Sequence, residues 1–174
     1  MMKNTRRVLL WIVLLCLVAA VFGLRSVSHA KASDEAAIRS LEDNFAAAFR
    51  AKDTDKIMSL YEHDQKLVVF DVVPPRQYVG WDTYHKDWQD FFAMFSGPVT
   101  FDLSDLSITT DGNLGYSHNI QHVAGDLKAG GKLDLTVRLT DVYRKIGGKW
   151  LIVHEHVSVP VDLNTGKPDL QSKP

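Results

Sequence analysis

Two aspartates and two histidines have the residue types and the placement for proton transfer. Asp71 ends the short apolar run from Leu67 to Phe70, and Asp141 falls in the alternating row Leu133, Leu135, Val137, Leu139, Asp141, Tyr143. In a shared apolar pocket, desolvation and mutual repulsion would keep one carboxyl protonated and leave the other a base. The plainer alternative has Asp71 capping a turn ahead of Pro74 and Asp141 meeting Arg144 or another cation. An ionised carboxylate in the Asp141 row would be costly, so Asp141 is expected to be protonated or hydrogen-bonded, with His118 as its internal partner. His118 alternates with Tyr116, Ile120 and His122, a mixed row suited to lining a cavity. His85 and His118 then read as acid/base groups or ligand hydrogen-bonders, against the alternative of satisfied structural histidines. Tyr61 and Trp88 each join an apolar body to a polar tip and are the aromatic residues expected to touch a ligand. The candidates for catalysis are therefore Asp71, Asp141 and His118, and those for ligand contact are Tyr61, His85, Trp88, Tyr116 and His118.

Other chemistries are disfavoured. His154-Glu155-His156 suggests a metal site, but on a strand the two histidines share a face while Glu155 points the other way. No metal and no cofactor is expected. Gly130-Gly131 and Gly147-Gly148 read as hairpin turns, not phosphate-binding loops, and no serine nucleophile elbow is present. The lone cysteine, Cys16, precedes the domain and so supplies it with no disulfide or thiol nucleophile. Beyond residue 30 the chain carries 16 Lys+Arg against 21 Asp+Glu. A mildly acidic domain without a basic run does not suit nucleic acid.

These residues need elements to place them. Hydrophobic residues at 45% and charged residues at 24% over 174 positions fit one globular domain. Ser33 is placed to cap a first helix whose apolar stripe runs through Ile38, Leu41, Phe45 and Ala48/Phe49. A short second helix begins at Asp53 or Thr54, a strand covers Leu67 to Phe70, and an aromatic-rich third helix covers Gly80 to Phe95. After Pro98 the period becomes alternating: strands from about Phe101, from Leu114 to about Ala124, from Leu133 to Ile146 and from Trp150 to Val159, joined by glycine turns. The tail after Val161 reads as polar and loose. Three N-terminal helices followed by hairpin-linked strands give an α+β fold with an antiparallel sheet.

Ahead of this domain, Lys3, Arg6 and Arg7 precede the apolar run Val8 to Leu24, followed by small residues around Ala30 and Ala32. That order describes a signal peptide over residues 1–30, with cleavage after Ala30 or Ala32 and a secreted or periplasmic product. An uncleaved anchor is the alternative, although 17 apolar residues are at the short end for a bilayer span. Contact with a membrane is then expected only through this leader.

The stretches AAFRAKDTDKIMSLYEHD, VVFD, VGWDTYHKDW and LTDVYRKIGGKWLIVHEHVSVP resemble the nuclear transport factor 2-like superfamily, in its SnoaL-like and ketosteroid-isomerase-like branches. The resemblance spans most of residues 31–162, leaving 163–174 as a polar tail. It implies a cone-shaped fold of three N-terminal helices packed in a strongly curved antiparallel sheet, with a pocket at the open end and usually a dimer. It also implies general-base and oxyanion-donor roles for Asp71 and Asp141, while Phe45 stands where those isomerases carry their catalytic tyrosine. The chain further resembles the association domain of calcium/calmodulin-dependent kinase II, whose pocket histidine matches His85. His118, Asp141 and Val157 stand in place of that pocket's arginines, which disfavours an anionic ligand and favours a neutral or cationic one. A small apolar or neutral ligand is expected. The outward row His154, His156, Ser158, Arg138 and Thr140, with Trp150 and Ile152 on the same face, is expected to form the homodimer interface. Two functions fit: a lyase- or isomerase-type enzyme, or a non-catalytic binding or assembly module.

Overall fold

The computed structural model describes residues 30–171, and the leader read as an export signal lies outside them. Helix α1 covers residues 30–51 and is already helical at residue 30, so Ser33 sits inside it and does not cap it. Its buried stripe contains Ile38, Leu41, Glu42, Phe45 and Phe49, spaced to face one side. Lys52 ends the helix in the left-handed conformation at φ 55. Helix α2, Thr54–Met58, is capped by the Asp53 carboxylate, which accepts from the Lys56 N–H. Helix α3, Trp81–Ala93, starts at Gly80, whose φ of 89 and closeness to Gln65 leave no room for a Cβ.

Six strands follow the order β2-β1-β6-β5-β4-β3. They are β1 (Val68–Phe70), β2 (Tyr78–Val79), β3 (Phe95–Asp111), β4 (Leu114–Leu127), β5 (Lys132–Ile146) and β6 (Lys149–Ser158). β2 is a two-residue return stroke that the sequence pattern did not reveal. β1 runs parallel to β6, and the other pairs of these six strands are antiparallel. The sheet curves around the helices without closing, and its concave face packs against Ile38, Phe45, Phe49, Trp88 and Phe92. Lys145 pairs with Asp34 at 2.6 Å and the Trp150 indole donates to the same carboxylate at 3.1 Å, tying α1 to the β5–β6 hairpin.

Two features of register correct the alternation read from sequence. The β4–β5 hairpin pairs Asp126 with Lys132, and this carries through to Ser117 opposite Asp141 and His118 opposite Thr140. Residues directly opposite share a face. Because Asp141 points into the cone, Ser117, Asn119, Gln121 and Val123 do too, while Tyr116 and His118 are exposed on the convex side. The second feature is a bulge in β6: Val142 faces His154, but Tyr143 faces Ile152. The extra residue, Val153, inverts the alternation. Trp150 and Ile152 therefore lie in the core, at 7% and 1% exposure, and not on the convex face expected to hold the dimer contact.

The tail is also not loose. Thr136 donates its N–H to the Leu170 carbonyl at 2.8 Å, and the Gln171 amide donates to the Asp134 carbonyl at 2.8 Å. The chain thus returns beside β5 where β6 has ended. Among the described residues no helix is long and apolar enough to cross a membrane.

Candidate functional site

Helices α1 and α3 and the concave sheet enclose a cavity of about 470 Å³. Phe45 and Phe49 from α1, Trp88 and Phe91 from α3, and Val123, Val137, Leu139 and Val157 from the sheet make its apolar walls. Asp71, Tyr84, Asp87 and Glu155 supply its main polar groups, and the exposed Val73 and Met94 border it. The aromatic packing is tight: Trp88 meets Phe45 edge-on at 5.8 Å and Phe49 at 5.5 Å.

Glu155 sits between two phenols. Tyr61 donates to its Oε2 and Tyr84 to its Oε1, each at 2.5 Å. Tyr61 is held there by pairing beside Ile152 of β6, and Tyr84 by the first turn of α3. The Tyr84 oxygen also lies 3.5 Å from Asp71 Oδ2. A phenol has one proton, and Tyr84 gives it to Glu155. A protonated Asp71 could therefore donate to Tyr84, which gives the chain Asp71–Tyr84–Glu155. Burial raises the Asp71 carboxyl above its ordinary range, and its bond from the Val72 N–H opposes this.

Behind the cavity wall the network continues. Tyr143 donates to Glu42 Oε1 at 2.5 Å, pairs with Ser117 Oγ at 2.7 Å and lies 3.3 Å from Asp141 Oδ2. Burial pushes the Glu42 and Glu155 carboxyls up to about 7, against the donated phenol bonds that lower them. Asp141 is pushed well above its ordinary range by burial and then by the neighbouring Glu42 and Glu155. Among the described residues no basic side chain forms an ion pair with any of the three. Burial and the neighbouring carboxyls therefore favour the protonated form of Asp141, whose Oδ1 has no hydrogen-bond partner among the described residues.

The sequence candidates separate accordingly. Asp71 and Trp88 line the cavity. Tyr61 is buried behind the wall and acts on the cavity through Glu155, and Asp141 lies deeper in the same network. His118 and Tyr116 are on the convex face, so neither meets the cavity and the expected His118–Asp141 contact does not form. His85 stacks on Trp81 on the far side of α3 and bonds Asp55 at 2.8 Å, away from the cavity. No cluster of metal-ligating residues occurs among the described residues.

Glu42, Tyr84 and Glu155 were not recognised from sequence. The available signal for Glu42 was an acidic residue in the buried stripe of α1. For Glu155 it was the strand face opposite the two histidines, and for Tyr84 a hydroxyl within an aromatic helix face.

The SnoaL-like domain family matches residues 38–162. An NTF2-like protein of unknown function from Pseudomonas putida KT2440 is 30% identical, with a TM-score of 0.74 over 82% of this chain and 98% of its own. A proposed calcium/calmodulin-dependent protein kinase II association domain from Xanthomonas campestris is 22% identical, with a TM-score of 0.59 over 70% of this chain and 84% of its own. A ketosteroid isomerase-like protein from Erwinia carotovora atroseptica is 16% identical, with a TM-score of 0.61 over 72% of this chain and 95% of its own. The last two show a shared fold alone. Among curated proteins none matches the sequence. An α+β cone around a carboxyl-bearing cavity, with a family match that spans the domain, identifies the chain as a member of the SnoaL-like domain family with the NTF2-like fold.

Proposed function

We propose that this protein binds a small, mainly apolar molecule and performs acid/base chemistry of the lyase or isomerase kind on it. One observation carries the reading: an apolar cavity of about 470 Å³ bears two carboxyls, Asp71 and Glu155, joined through a single phenol, Tyr84. A carboxyl whose proton affinity burial has raised can act first as base and then as acid. Asp71, the more accessible, takes a proton from one position of the ligand and returns it to another, while Glu155, which accepts from both phenols, holds Tyr84 beside it. The ketosteroid isomerase-like relative is consistent with this chemistry.

The test is solvent-deuterium exchange into 1-indanone in D₂O, followed by NMR. The wild-type protein should exceed free acetate at equal carboxylate concentration, and Asp71→Asn should reduce the rate by about 100-fold or more. Exchange no faster than acetate would refute the catalytic reading.

A second reading, a non-catalytic binding module, has its own support. The hydroxyls of Tyr61, Tyr84 and Tyr143 all bond within the protein, and Phe45 packs as a core ring against Phe101. Tyr78, also in the cavity wall, donates to the Pro74 carbonyl at 3.2 Å, so among the described residues no cavity phenol is left to stabilise an oxyanion. A ligand retained through purification and seen by native mass spectrometry, with no exchange activity, would favour this reading.

We further propose export by the leader and a homodimer through the convex sheet face. That face offers His118, Thr140 and His156 in one cross-strand row, with Phe70 beside His156. Intact-mass analysis of the secreted or periplasmic fraction should find a chain starting at Lys31 or Ser33. Light scattering should find twice the monomer mass, reduced by Thr140→Glu.

A further inference from the structure

We propose that the ligand of this cavity is a cation, an amine or quaternary ammonium group carried on an apolar body. This rests on the reading of the cavity as a small-molecule pocket and narrows it.

The charge of the cavity wall is one-sided. Asp71, Asp87, Asp90 and Glu155 line it, and none of its lining residues is Lys, Arg or His. Asp90 is neutralised by Lys86 at 2.7 Å on the exposed side of α3. Asp71, Asp87 and Glu155 have no ion-pair partner among the described residues. Burial is the largest influence raising both Asp71 and Asp87, and the charge of Asp87 raises Asp71 further. Buried acids ordinarily find a cation, and here none of the described residues supplies one. An anionic ligand would add to the repulsion and a neutral one would leave it unrelieved, whereas an ammonium group would remove it.

The aromatic lining agrees independently. Phe45, Phe49, Tyr78, Tyr84, Trp88 and Phe91 surround the same space. Ring faces attract organic cations, most strongly where water is excluded. The Trp88 indole N–H is buried in this wall and has no partner among protein atoms. Asp71 and Asp87 are the pair that holds the ammonium, because both line the cavity, both are less deeply buried than Glu155, and the charge of Asp87 reaches Asp71. The apolar body then lies between Phe49, Trp88, Val137 and Leu139.

Titration calorimetry with three probes that share one body tests this: 4-phenylbutylamine, 4-phenylbutan-1-ol and 4-phenylbutyrate, with the full exported chain at pH 7.5. The amine should bind at least 10-fold more tightly than the alcohol, and the butyrate most weakly. Asp87→Asn should weaken the amine several-fold and leave the alcohol unchanged. Alcohol binding as tight as the amine, or butyrate binding best, would overturn the cation assignment and leave the pocket reading standing. Failure of all three to bind a folded protein would overturn both. A preference for the amine that survives unchanged in Asp87→Asn and in Asp71→Asn would overturn the placement on this pair. The wild-type comparison stands even if a variant fails to fold.

Discussion

Asp141→Asn should stabilise this protein at neutral pH, although it removes a buried hydrogen-bonding carboxyl. The folded state holds Asp141 well above its unfolded value of 3.8, chiefly through burial and the adjacent Glu42 and Glu155. A folded state that binds more protons than the unfolded chain loses stability as pH rises. Keeping a proton in the fold on a carboxyl that releases it near 3.8 when unfolded costs stability at pH 7. Asparagine keeps the shape, has no proton to hold, and can donate its N–H to the neighbouring carboxylates. Rearranged hydrogen bonds offset about 1 kcal/mol of that gain. The variant should therefore be the more stable at pH 7, with an advantage that grows by up to about 1.4 kcal/mol per pH unit above the unfolded value and is gone by pH 4. Glu42 and Glu155, pushed up to about 7 from 4.5, act in the same direction. Wild-type stability should fall from about pH 4.5 to 7, at about 1.4 kcal/mol per pH unit for each carboxyl protonated only in the fold. The part due to Glu42 and Glu155 should level off above 7, while the part due to Asp141 continues until that carboxyl titrates in the fold. Urea unfolding from pH 4 to 8 measures both effects. A difference between variant and wild type that does not change with pH would mean that Asp141 is ionised in the fold, and would refute the reasoning.

Tyr84→Phe removes one of the two phenol donors to Glu155 and breaks its link to Asp71. It should cost about 1–3 kcal/mol in urea unfolding and raise the pH at which Glu155 titrates, observable by carboxyl carbon NMR. Ile152→Ala opens a hole in the core at a residue 1% exposed, so it should cost about 2–5 kcal/mol while light scattering shows an unchanged mass. Gly125→Ala places a Cβ 2.7 Å from the Phe95 ring, with β3 backbone close by, and should lower stability by about 1–3 kcal/mol in thermal unfolding.

Local pattern was enough to determine the elements other than β2. The stripe on α1, the aromatic face of α3 and the glycine turns each follow from residue spacing, and together they limit the chain to an α+β fold with an antiparallel sheet, while the cone shape came from the family resemblance. Asp71 next to a proline loop, and Asp141 in an apolar row, were also legible, because a polar residue stands out against a regular background. The facing of β4 and the end of β6 were not. His118 and its neighbours alternate as a strand whichever side is buried, and only the hairpin pairing of Asp126 with Lys132 turned Ser117 inward. Alternation likewise carries no mark of the extra residue at Val153, which moved Trp150 and Ile152 into the core. The buried acid cluster shows the same limit at longer range. Glu42, Asp141 and Glu155 come from α1, β5 and β6, and each alone reads as an isolated acid on its own element. Their effect on one another depends on distance and on the exclusion of water, and tertiary packing alone decides both.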